Sequence, residues 1–258
     1  MPAATDVDAA LERFAALDEK ELAQPWLFRD KPMNVRYALY RTIEDAQEAV
    51  VRAAARSHPE SRRILSLAQR AFGDLRGLLV GLPADLLDKP PREGEWSVRE
   101  ILRHIIVIEG RYAAQTQHAV ERADTDPMRV ADDKLPTPAK TDVTGGISEI
   151  LARVSDARAE TDRRLGDLPA AAMARPTQWI QYDVDVRFRL HRFAAHVVEH
   201  TVQCEKTLAA LGWQMMEGRR IVRRLTGLVG EIEGLAGPAE AREIEKRLVE
   251  RSVSSASA

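Results

Sequence analysis

The sequence predicts an all-α protein built around a four-helix bundle. Three observations carry this. Apolar residues recur at helical spacing through nearly every long segment, period-two alternation is scarce, and aromatic residues make up only 5% of the chain, too few for a substantial sheet. The chain has 258 residues, long enough for one large domain or for a smaller core with additions. Helices are expected at 7–20, 33–57, 61–81, 97–122, 144–166, 185–211, 217–235 and 238–251.

Each central helix is punctuated. Ser97-Val98-Arg99-Glu100 is a capping box, with Trp96 and Ile101 placed as a hydrophobic staple. Gly81 before Pro83 and Gly166 before Pro169 are stops, because glycine accepts the left-handed cap and proline cannot continue a helix. Gly212 ends the helix that closes on Leu208-Ala209-Ala210-Leu211. The stretch 123–146 is rich in Asp and Pro and reads as a long exposed crossover, the connection that joins two helix pairs in a bundle. The segments around Leu79–Ala84 and Arg164–Ala170 echo one another, which we read as helix-stop chemistry recurring independently. The expected organisation is an N-terminal helical extension at 1–58, the bundle at 59–213, and a C-terminal helical extension at 214–258. Trp26, Leu27, Phe28 and the helix from Val35 to Val51 place apolar groups outside the bundle core. They are expected to pack on it, with a homodimer interface as the second reading.

Composition narrows the function classes. A net charge of −2 offers no general attraction to nucleic acid or anionic membrane, and no stretch reaches the roughly 18 apolar residues of a membrane span. No secretory signal is visible, and Cys204 alone forms no intrachain disulfide, so a cytoplasmic location is expected.

The chemistry concentrates in histidines. His196 and His200 stand one helical turn apart on the border of an apolar stripe through Leu190, Phe193, Val197, Cys204 and Leu208. His104 flanks a similar stripe of Val98, Ile101, Ile105, Ile108 and Tyr112. Two helices packed by these stripes bring three imidazoles together, a facial set for a divalent ion with positions left open. The competing reading is three structural histidines held by hydrogen bonds. His191 projects from the opposite face, His118 lies almost four turns from His104, and His58 sits at a helix junction before Pro59. Cys204, one turn past His200, reads as a small buried apolar residue, with a fourth ligand as the alternative.

Gly94-Glu95-Trp96-Ser97-Val98-Arg99-Glu100-Ile101-Leu102-Arg103-His104 resembles the W-S-x-x-E-x-x-x-H signature of DinB-like proteins. The run from His191 through His196, His200 and Gln203 to Glu205-Lys206-Thr207-Leu208 resembles the last-helix signature of that superfamily, H-x-x-x-H-x-x-Q. The resemblance covers about residues 60–213. It implies a four-helix bundle holding a divalent metal through His104, His196 and His200, with zinc, nickel or iron as the expected ions. Some relatives are thiol-dependent transferases or isomerases that use mycothiol or bacillithiol, including maleylpyruvate isomerases, so a metal-dependent thiol S-transferase or isomerase acting on a small electrophile is the leading expectation. The catalytic residues are open. Glu199, Arg192, Gln203, Arg111 and Gln115 lie nearest on the two helices and are candidates to orient ligands or a substrate carboxylate.

Two other classes stand beside it. His196-Val197-Val198-Glu199-His200 also fits H-x-x-E-H, the inverted zinc-protease motif, although the third ligand of that fold is missing; a simpler hydrolase using metal-bound hydroxide is the enzyme alternative. The remaining class is a non-catalytic metal- or ligand-binding helical protein.

Overall fold

The architecture follows from a chain that makes helices easily and strands only where a turn forces them. A computed structural model describes residues 4–256. In order, the elements are α1 (Ala4–Ala16), α2 (Glu19–Leu22), β1 (Pro25–Phe28), β2 (Lys31–Asn34), α3 (Val35–Ala54), α4 (Glu60–Leu79), α5 (Ala84–Leu87), α6 (Val98–Glu121), α7 (Ile147–Leu165), α8 (Ala170–Met173), β3 (Pro176–Trp179), β4 (Tyr182–Asp185), α9 (Val186–Ala210), α10 (Glu217–Ala236) and α11 (Pro238–Ala256). Every long helix expected from periodicity is present, with ends within a few residues. The additions are two small antiparallel hairpins, β1–β2 and β3–β4, with strands of four residues that are too short for alternation to register.

Helices α4, α6, α7 and α9 form the four-helix bundle, and the 25-residue α9 runs its full length. Leu75, Leu78, Ile101, Ile105, Ile150, Val154, Val197 and Leu208 fill one stretch of its core, and Leu65, Ala68, Leu190 and Phe193 fill another. Arg158 crosses the centre, fully buried, and donates to Glu109 at 2.5 Å and to Asp162 at 2.8 Å. Paired this way the charge is tolerable; removing either partner would strand the other in an apolar interior.

The flanking helices pack on one another. Phe14, Leu22, Trp26, Leu39 and Ala46 from the N-terminal side share a core with Val222, Leu225, Ile232, Ile244 and Leu248 from the C-terminal side. This group corresponds element by element to the bundle. Helix α10 stands for α4, α11 for α6, α1 for α7, and the run α2–β1–β2–α3 for α8–β3–β4–α9, with the same neighbours in contact.

The correspondence holds residue by residue. The hairpins share a register, Pro25 opposite Asn34 and Pro176 opposite Asp185. Asn34 caps α3 by accepting from Tyr37 N at 3.0 Å, and Asp185 caps α9 by accepting from Phe188 N at 2.8 Å. Arg36 reaches Glu217 at 2.6 Å, as Arg187 reaches Glu60 at 2.5 Å. Helices α4 and α10 share Glu-x-Arg-Arg-Ile at Glu60–Ile64 and Glu217–Ile221, then Gly-x-x-x-Gly-Leu at Gly73–Leu78 and Gly230–Leu235.

Those glycines lie where α4 and α10 meet. A Cβ on Gly73 would overlap the Thr226 carbonyl, and one on Gly230 would overlap the Gln69 carbonyl. A Cβ on Gly77 would come within 2.7 Å of Arg223 Cα, and one on Gly234 within 2.7 Å of Ser66 Cα. Only glycine lets the two backbones touch along this line. The echo between Leu79–Ala84 and Arg164–Ala170 is unrelated to this repeat, whose two copies are joined out of order. Gly73→Ala should therefore lower stability by about 1–3 kcal/mol, through forced separation of the helices. Gly227→Ala, whose new methyl group meets nothing closer than 3.6 Å, should be neutral or stabilising by up to ~1 kcal/mol. Urea unfolding of both variants checks the contrast.

Candidate metal centre

Helix α6 starts at the expected capping box. Ser97 accepts from Glu100 N at 3.3 Å, and Glu100 accepts from Ser97 N at 2.8 Å. This fixes the first turn, so His104 faces α9 two turns later. Trp96 stays 41% exposed, and its ring lies 5.0 Å from that of His104. On α9, His196 and His200 meet edge to face with ring centroids 4.4 Å apart, and His104 approaches them at 5.2 and 4.6 Å. One ligand atom from each of the three lies within 4.8 Å of the others, so the trio could hold a metal ion.

The electrostatics suit such a role. Burial first, then His200, His104 and Arg192, pushes the His196 pKa down to about 3. Burial and His200 also lower His104. Both rings are therefore neutral at pH 7, with lone pairs available. His104 Nε2 and His196 Nε2 stand 3.2 Å apart. Two nitrogens that close need a shared proton or a shared cation. His200 Nδ1 donates to Gln203 Oε1 at 2.7 Å, which leaves its Nε2 as the free acceptor. The donor set thus fits a divalent ion, with one buried and two half-buried imidazoles on two helices.

The other candidates separate clearly. Gln203 is at the site through His200. Glu199 is exposed and accepts from Arg192 at 3.1 Å. Arg192 covers the Trp179 face at 5.1 Å. Arg111 pairs with Asp132 at 2.8 Å, and Gln115 spends its amide on both backbone groups of Val130, so both pin the crossover loop while lining the cleft beside Tyr112. His118 and His58 bond the carbonyls of Pro127 and Ala53, and His191 is exposed. Sequence reasoning missed the aromatic wall. Tyr112 sits 5.4 Å from His196 and 4.8 Å from Trp179, which the second hairpin carries in. Two clefts flank the trio. One of about 490 Å³ includes Trp96, Gln203 and Lys206, and the other of about 230 Å³ includes Tyr112, Trp179 and Arg189.

The three histidines and both signature segments lie almost wholly within residues 67–204, which match the model of the DinB superfamily. The chain belongs to the DinB superfamily. Among solved structures, this DinB-superfamily chain is similar to YfiT from Bacillus subtilis, described as a probable metal-dependent hydrolase with an unusual four-helix bundle topology. The two are 16% identical, with a TM-score of 0.49, covering 62% of this chain and 92% of that one. No curated protein matches the chain. Among the described residues, no helix is long and apolar enough to cross a membrane.

Cys204 is fully buried in the bundle core and does not join the histidines. Burial, with Glu205 nearby, pushes its thiol up to about 12. Native protein at pH 8 should therefore react with iodoacetamide far more slowly than protein unfolded in urea, as mass spectrometry of the alkylated chain would show.

Proposed function

We propose that this protein is a metal-dependent enzyme that activates a low-molecular-weight thiol, of the mycothiol or bacillithiol type, for S-transfer to or isomerisation of a small electrophilic substrate. The observation that carries this reading is the trio of imidazoles flanked by two clefts, with no carboxylate joined to it among the described residues. A divalent ion bound there supplies the positive charge that keeps a coordinated thiol deprotonated at neutral pH.

The protein's own residues do the rest. His104, His196 and His200 would hold the ion, zinc, nickel or iron being suited to imidazole. Gln203 sets the tautomer of His200. Trp96 flanks His104 and Tyr112 flanks His196, one ring on either side of the trio. The thiol comes from outside, because Cys204 is sealed in the core. The inverted zinc-protease reading asks for a base beside the ion; Glu199 is the residue placed for it by the H-x-x-E-H spacing, but it is turned to Arg192. This argues against protease-type hydrolysis, and a simpler metal-dependent hydrolase is the second reading that the turnover test separates.

The test combines metal analysis with turnover. Wild-type protein should retain close to one divalent ion per chain and consume free thiol in the presence of an electrophile. His104→Ala and His196→Ala should lose both properties, and Gln203→Leu should weaken metal affinity by about 10–100-fold. Unchanged metal content in both histidine variants would remove the site. Metal-dependent turnover of an ester without thiol would assign the hydrolase instead.

A further inference from the structure

The molecule supplies its own control for which residues serve the fold. Its two halves share helices, hairpins and caps, yet only one carries the histidines. In the other, Asp45 stands at the position of His196 and is paired with Arg251 at 2.6 Å and Arg41 at 2.7 Å, while Ala49 stands at the position of His200. Residues common to both halves hold the architecture. Residues confined to the histidine half are there for something else.

Arg189 is such a residue. It is 3% exposed, and its counterpart is Ala38. The β1–β2 hairpin keeps the same register and helix cap with alanine there, so the fold does not require the guanidinium. Its contacts are neutral. Nε donates to Thr116 Oγ1 at 3.3 Å, Nη1 donates to the Gln178 carbonyl at 2.8 Å, and the group lies 5.4 Å from the Trp179 ring centre. No Asp or Glu among the described residues forms an ion pair with it. Burying a cation without a counter-charge is costly, and a second cation, Arg129, adds repulsion. Arg219 makes the contrast. It too is buried without a carboxylate partner, but it closes the carbonyls of Leu78 and Val80 at the end of α4, and its counterpart Arg62 is also arginine.

Arg189 lines the cleft of about 230 Å³ together with Arg111, Gln115 and Arg129, and the apolar walls are Ile108, Tyr112, Leu135 and Trp179; Arg111 is already paired with Asp132. Tyr112 is the partition between that cleft and His196. We infer that this cleft binds a small aromatic carboxylic acid, with Arg189 donating to the carboxylate and the aromatic body lying along Tyr112 and Trp179 towards the histidines. This names the substrate class of the site proposed above and rests on that reading for its catalytic meaning, while the binding itself does not depend on metal.

Binding of cinnamate to metal-free protein, followed by calorimetry and by Trp fluorescence, is the test, with cinnamamide as the neutral isostere. Cinnamate should bind wild-type protein and His104→Ala alike, so a failed metal or turnover assay leaves this result standing. Arg189→Gln should weaken cinnamate roughly tenfold or more and leave cinnamamide unchanged, with Arg189→Lys in between. Inorganic phosphate should compete poorly, lacking the apolar body. Should Arg189→Gln not fold, Ile108→Trp, which fills the cleft with Arg189 intact, must abolish binding. Equal affinity for acid and amide, no effect of either variant, or no saturable cinnamate binding to wild-type protein would each overturn the inference.

Discussion

The backbone contact between α4 and α10 is the constraint on which the rest of the molecule is arranged. Helices with ordinary side chains pack with axes 8–10 Å apart. Here Gly73 and Gly77 face Thr226 and Arg223, and Gly230 and Gly234 face Gln69 and Ser66, so carbonyls and Cα atoms take the place of side chains. Each of these helices also supports a helix that follows its own hairpin, α9 on α4 and α3 on α10. The paired ion bridges, Arg187 to Glu60 and Arg36 to Glu217, fasten those supports at matching points. The histidines thus sit on a helix braced by a rigid central pair, which suits a site whose geometry must not drift.

The two halves solve one problem in two ways. A polar group on the helix after the hairpin faces inward, and it needs partners. In one half the group is His196, lowered to about 3 by burial and neighbouring rings, and its partners are two further imidazoles. In the other it is Asp45, 3% exposed and satisfied by arginines from its own helix and from α11. An ion pair closes on itself; a set of imidazole nitrogens remains available to something added.

Much of this was legible in the sequence, for physical reasons. Long helices announce themselves by periodicity, and the capping box at Ser97 fixed the start of α6. The i,i+4 spacing of His196 and His200 placed both on one face, while His104 came from a second stripe, strengthened by the family resemblance. Other features were hidden. Four-residue strands are shorter than the window over which alternation can be seen. The repeat escaped because its halves are interleaved in chain order, and because shared residues such as Glu60/Glu217 and Gly73/Gly230 are spread thinly over each helix. Arg189 reads as a solvated helix charge until Thr116, Gln178 and Trp179 are seen around it. Arg111 and Gln115, on the right helix for the site, hold the crossover loop where it folds back over α6, and both also line the smaller cleft.

The interleaving also bears on the order in which the chain acquires its structure. Residues 60–210 contain every helix of the histidine-bearing bundle, so that half can close on contacts within one continuous stretch. The other half joins α1 and α3 to α10 and α11, and Arg13 reaches Ser255 across 242 residues to complete it. During synthesis the apolar faces of Phe14, Leu22 and Leu39 must wait until the last helices emerge. The loop-closure entropy of bringing such distant segments together falls on the second half. The finished bundle can meanwhile offer α4 as the surface on which α10 docks.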